Sequence, residues 1–151
     1  MKAGTLKFKE NWKIETVDKK TGKILDSEEI CNTIVNNGLE RMAKLLVNVS
    51  STHFNALAIG TDDTAVTNSD TALGTEIGRS SGATLSYEAD YKAKFQYTFS
   101  FGSAYSIVEA GIFDSETVSG STMLARTTFS AKSVSASVDL IVTAIITVAR
   151  V

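Results

Sequence analysis

The chain has 151 residues, 43% of them hydrophobic and 21% charged, with a formal net charge of −2. That length bounds one domain with a real core, and the composition excludes a disordered chain. Lys and Arg form no clustered stripe of the kind phosphate recognition needs, and the single cysteine, Cys31, rules out an intramolecular disulfide framework or a cysteine-rich zinc site.

In chain order, residues 5–18 alternate, with Leu6, Phe8, Trp12 and Ile14 on one side and Lys7, Lys9, Lys13 and Glu15 on the other. The period of two predicts a half-covered strand. Lys19-Lys20-Thr21-Gly22 supplies a turn, and Lys23 to Cys31 returns as its partner. Residues 1–33 are thus expected to form an N-terminal hairpin, either an arm lying on a neighbouring subunit or the outer edge of a sheet. Its first residues carry no apolar secretion-signal core, and no run is long enough for a membrane span. A soluble chain assembling in a reducing cytoplasm is the expectation.

Residues 34–151 are expected to form the β core of the same domain. One short helix over about 37–47 is predicted, from Leu39, Met42, Ala43 and Leu46 at i, i+3, i+4 and i+7. Asn37 is the expected helix cap, and Glu40 suits the positive end of the dipole. Phe54 to Ile59 reads as a strand covered on both faces, with a buried helix the other reading of so short a run, and it is stopped by Gly60 and a polar loop. Residues 72–79 then bring the chain back toward the core.

Ala83 to Phe101 shows period two, with Leu85, Tyr87, Ala89, Tyr91, Phe95, Tyr97, Phe99 and Phe101 on one parity. Core is the default placement of this row, and a neighbouring subunit the other. Ile107 to Phe113, Met123 to Phe129 and Ser137 to Val151 complete the strands, the last long and central. Short strands separated by turn signals point to a mainly β, antiparallel sandwich or barrel-like domain. Proline is absent, so the sheet edges lack one common guard against pairing. An open edge can serve assembly by accepting a partner strand, although drift with AT-rich coding is the simpler account of the missing proline.

Glu109 is the first site candidate, because it stands inside the apolar segment Ile107-Val108-Glu109-Ala110-Gly111-Ile112-Phe113, where an unpaired carboxylate is costly. Arg79 and Arg126 are its natural partners, since a guanidinium takes a carboxylate bidentately. The pairing would be structural; the alternative is a solvent-facing glutamate. His53, the one histidine, sits at a polar loop entrance, and a Cys31–His53 nucleophile–base pair lacks anything to orient the imidazole. Asp62, Asp63, Asn68 and Asp70 put oxygen ligands in one loop, but without calcium-loop spacing. Local caps of a solvated loop are the simpler reading. No catalytic, cofactor or metal motif is present in the sequence, so no enzyme is expected.

The order of these pieces carries a resemblance. An apolar strand ending Ile59-Gly60-Thr61, a polar loop, Thr71-Ala72-Leu73 with Glu76-Ile77 and Arg79, two alternating strands, then Ile107-Val108-Glu109-Ala110-Gly111-Ile112-Phe113-Asp114 resembles small virion proteins of tailed bacteriophages. The likeness spans residues 34–148 and is to the N-terminal domain of tail-collar fibre proteins and to stand-alone head decoration proteins. The chain stops at Val151 without a fibre, which favours a self-contained accessory protein. The resemblance implies a non-enzymatic virion structural protein, first a capsid decoration or cement protein bound to the major capsid protein or another virion protein. The alternative is a tail, collar or baseplate component. It further implies a homo-oligomer, a trimer as first guess, with neither nucleic acid nor membrane as partner.

Overall fold

A computed structural model describes residues 4–50 and 52–150. Ten strands and one helix follow in the order β1 (Leu6–Asp18), β2 (Ile24–Ile30), β3 (Thr33–Ile34), α1 (Asn36–Leu46), β4 (Ala56–Gly60), β5 (Glu76–Arg79), β6 (Thr84–Glu88), β7 (Lys92–Phe99), β8 (Tyr105–Phe113), β9 (Met123–Val134) and β10 (Val138–Arg150). They form two antiparallel five-stranded sheets, one ordered β2-β1-β10-β7-β6 and the other β3-β9-β8-β4-β5. The expected mainly β sandwich with one short helix is the observed architecture. Residues 1–3, Ser51 and Val151, at the ends of the expected hairpin, beside His53 and at the end of the last strand, lie outside the described residues.

The N-terminal hairpin is neither a detached arm nor wholly an edge. Every residue of β1 pairs with β10, from Leu6 opposite Arg150 to Asp18 opposite Val138, so β1 is internal and only β2 is the edge. Trp12 and Ile14 join Leu140, Val142, Ala144 and Ile146 in the inter-sheet core. Burying such side chains contributes roughly 1.5–3 kcal/mol each, and a one-residue slip would turn them all to solvent. Gly22 takes a positive φ of 72° in the turn between the strands.

The second sheet is covered twice. Leu57, Ile59, Ala110, Ile112 and Leu124 face the other sheet, while Val35, Ala56, Ala58, Leu73, Phe113 and Met123 form a second apolar cluster. Every residue of β4 is therefore buried, as its unbroken apolar run predicts. Helix α1 packs on this sheet, but on a different face from the one predicted. Gly38 is buried against the backbone of Leu124, and Met42 and Leu45 pack on the core. Leu39 and Ala43 are exposed, and Leu46 is 88% exposed. The stripe is rotated by one residue because only a glycine lets the first helical turn approach β9 closely. Val35 is the N-cap and makes no side-chain cap hydrogen bond, so Asn37 does not cap the helix. Glu40 pairs with Lys44 one turn on. No helix among the described residues is long and apolar enough to cross a membrane.

The long alternating stretch 83–101 is a hairpin, not one strand. Asp90 and Tyr91 take φ values of 63° and 65°, which reverse the chain between β6 and β7. Parity survives the turn, so sequence periodicity alone does not register it. Phe95 and Phe99 enter the core, with Tyr97 and Phe101 packed against it, whereas Tyr87 and Tyr91 are exposed.

At the other edge of this sheet, a polar latch ties β2 to β9. The ammonium of Lys132, 3% exposed, donates to Asp26 (2.9 Å) and Glu28 (2.7 Å), and Ser130 N–H donates to Glu28. Burial works against the charge on Lys132, but its carboxylate partners outweigh that and raise its pKa.

Glu10 is the exception in the core. It lies on the inward parity of β1, 1% exposed, and neither of its oxygens has a hydrogen-bond partner. Burial pushes its pKa from 4.5 up to about 7. The unfolded chain ionises near 4.5 while the folded one stays protonated, so stability falls as pH rises between 4.5 and about 7. Above that window the full penalty applies, about 3 kcal/mol at 1.36 kcal/mol per pH step. Glu10→Met should therefore unfold at higher urea than the parent at pH 8 by about 2–3 kcal/mol, with the gap closing toward pH 4.5. A gap that is the same at both pH values would show that no buried ionisation is involved.

Candidate functional site

The most organised polar site lies where β4 ends. Gly60 stands opposite Glu109 of β8, and loop 61–75 arches over the pair before β5 begins. A β-bulge between Ile107 and Glu109 puts Ile107 in the inter-sheet core while Glu109 shares the opposite face with Gly111 and Phe113. That shift places a carboxylate under a loop and not between the sheets.

Glu109 is fully buried. Its Oε1 accepts from the main-chain N–H groups of Thr75 (2.9 Å) and Asp62 (3.3 Å). Its Oε2 accepts from Gly74 N–H (3.0 Å) and from Arg126 Nε (2.9 Å), with Nη2 also at 2.9 Å. Arg126, on β9 and 3% exposed, donates through Nη1 to Asp70 (3.0 Å) and through Nη2 to the Asp62 carbonyl (3.3 Å). Asp70 in turn accepts from the N–H and hydroxyl of Thr67. Burial raises the Asp70 carboxyl, but the Thr67 hydrogen bonds and then Arg126 outweigh it and hold the group below its ordinary range. Burial likewise disfavours the Arg126 charge, and the carboxylates of Glu109 and Asp70 reverse that.

Two glycines make the approach feasible. A Cβ at Gly60 would run into Glu109 Oε1 and the Thr75 carbonyl, and one at Gly74 into the Asp62 carboxylate. Leu73, next to Gly74, drops over Gly111 and seals the cluster from above.

Of the two arginines named as partners, Arg126 reaches Glu109 and Arg79 does not. Arg79 holds Glu76 bidentately at 2.7 and 2.8 Å, lies 3.9 Å over the Phe113 ring and donates to the Ser115 and Thr117 carbonyls and the Ser121 hydroxyl. It staples β5 to the β8–β9 loop, because β5 pairs with the far side of β4 from β8. A third arginine, Arg41 of α1, pairs with Asp114 at 2.5 Å and donates to Thr122 and Ser50. Nothing in the sequence signals that Arg41 and Asp114 meet, since they share neither a motif nor an element.

The remaining candidates stay apart. Cys31 is exposed, its thiol beside Asn11, and no hydrogen bond joins it to His53. His53 lines an open groove with Phe54, Leu85 and Tyr87. Asp62 caps the Thr64 N–H at 2.7 Å, and no group of three His, Cys, Asp or Glu among the described residues is disposed to hold a metal. With both oxygens of Glu109 engaged by main chain and guanidinium, the cluster fixes a loop in place.

Removing one member of such a buried pair strands the other, so Glu109→Ala and Arg126→Ala should each cost about 3–5 kcal/mol in denaturant unfolding. Arg79→Ala, which gives up the half-buried Glu76, the Phe113 ring and hydrogen bonds to a partly exposed loop, should cost less, about 1–3 kcal/mol. Equal losses at Arg79 and Arg126 would mean that the ion pair has no special role. Gly60→Ala should destabilise like the Glu109 variant, since the added methyl displaces the same carboxylate.

No family model, no curated protein and no solved structure matches this chain.

Proposed function

We propose that this chain is a non-enzymatic structural protein of a tailed-bacteriophage particle, acting by adhesion to a repetitive viral surface. The observation that carries the reading is how the buried charge is used. Glu109, Arg126 and Asp70 satisfy one another and the amides of loop 61–75, so they stiffen a loop on a twice-covered sheet. Rigid loops on a rigid sandwich suit a protein that must present one shape to many equivalent sites, because little ordering entropy is lost on binding. The segment order that resembles virion proteins supplies the identity of the surface.

Between sub-roles, a decoration or cement protein on the assembled head is favoured, with the major capsid protein or a neighbouring virion protein as partner and a homo-oligomer, three copies as the starting expectation, as the binding unit. Assembly would take place in the host cytoplasm and the working location is the virion. The second reading, a tail, collar or baseplate component, draws on the same segment order, which resembles collar-fibre domains too.

Purified protein mixed with particles that lack it should co-sediment saturably, and imaging should place its copies on the head at a number set by the shell symmetry. Copies at the tail would select the second reading. A well-folded protein that attaches to no particle would overturn both, and turnover lost on replacing Glu109 or His53 would point to an enzyme instead.

A further inference from the structure

We infer that the free edge of β6 is a strand-pairing surface and that its partner is β6 of a second copy of this chain, related by a two-fold axis through Ser86. The inference goes beyond attachment to a particle and does not depend on it.

The two sheets leave four edge strands among the described residues, β2, β6, β3 and β5, and three of them are unsuited to self-pairing. β2 carries Asp26, Glu28 and Glu29 within seven residues, so a second copy would set acid against acid. β3 has two residues. The charged ends of β5, Glu76 and Arg79, are already committed to each other and to the β8–β9 loop. β6, Thr84-Leu85-Ser86-Tyr87-Glu88, differs from all three. It pairs only with β7, and none of its main-chain groups bonds to another element on its outer side. It carries no lysine, arginine or proline and has a single acid at its end, so it lacks the usual guards of an edge.

A second observation falls on the same strand. Leu85 is 40% exposed and Tyr87 75% exposed, both beside the open groove whose floor includes Phe54 and Phe95. An added strand would thus gain main-chain hydrogen bonds and cover an apolar row together.

The sequence of β6 selects the occupant. In an antiparallel pair only registers that keep faces matched are allowed, and the one centred on Ser86 engages all five residues. It sets Leu85 of each copy opposite Tyr87 of the other, an aliphatic–aromatic pair made twice, and Thr84 opposite Glu88, so the two acids never face each other. The two grooves join into one trough and the two sheets become continuous. The contact is isologous and closes on itself. So short a contact sits at the weak end of the interface range, so the association is concentration-dependent.

Sedimentation velocity of the full chain over rising concentration tests this, with two variants. Ser86→Glu places two carboxylates at the axis, next to both Glu88 side chains; within one copy it gives up the Ser86 hydroxyl's bond to Glu88 but sets the new acid opposite Lys94 at an exposed position, where the cost to folding is small. Thr98→Glu adds the same charge at an exposed position of β7, away from the edge. The expected result is a parent and Thr98→Glu of twice the mass of Ser86→Glu at high concentration, with partial recovery of Ser86→Glu in high salt. All three should melt alike at low concentration. A parent mass equal to that of Ser86→Glu at every concentration overturns the pairing, whether both are single copies or both are a three-fold assembly. Slowed amide exchange at residues 84–88 on raising the concentration is the positive signature, and unchanged exchange there also overturns it. Attachment to particles is read separately, so its failure leaves this result standing.

Discussion

The pair of Glu109 and Arg126 is the constraint around which the second sheet is arranged. An ionised carboxylate in an apolar strand is tolerable only if every lone pair finds a donor, and here the donors come from three directions. Main-chain amides of Asp62, Gly74 and Thr75 bring both ends of the long loop to one point, and the guanidinium brings β9. The loop ends are thereby held at the mouth of β4, which lets Leu73 cover the outer face of β8. Without that lid, the apolar residues on the outer side of the sheet would meet water, and the unbroken apolar run of β4 would have no reason to exist.

The molecule repeats this device with three other cations, one buried and two half-buried. Arg41 anchors the helix to the end of β8, Arg79 anchors β5 to the β8–β9 loop, and Lys132 anchors β2 across to the opposite sheet. Each cation joins an element to a loop or strand that main-chain pairing does not reach. Guanidinium suits three of the four places because its planar fork meets carboxylate and carbonyl acceptors together. Glu10 stands against this pattern as a buried acid with no such partner, held in the core by the register of β1 with β10.

The edges follow from the same economy of interactions. β2 is latched to β9, and β5 is stapled to a loop, so two of the edges are guarded by the buried charges themselves. β6 has no such attachment, and Leu85 and Tyr87 are left exposed along it. The one long edge without a charged attachment among the described residues is thus the one the stabilising charges leave out.

Local patterns in the chain were enough for the strand content, the buried character of β4, the central position of β10, the existence of one helix and the suspicion that Glu109 needs an arginine. Period two, an unbroken apolar run and a charge in an apolar strand are properties of neighbouring residues, so they are legible without a fold. The structure alone decided which arginine answers Glu109, because β9 and β5 lie on opposite sides of β8 in the sheet order. It also decided that the helix packs through Gly38 and not Leu39, since close approach to β9 outweighs the size of the apolar side chain. It placed a turn inside a seamless alternation at residues 89–91, and β1 inside a sheet where an arm was one expectation. These outcomes depend on contacts between residues far apart in sequence, and local periodicity carries no record of them.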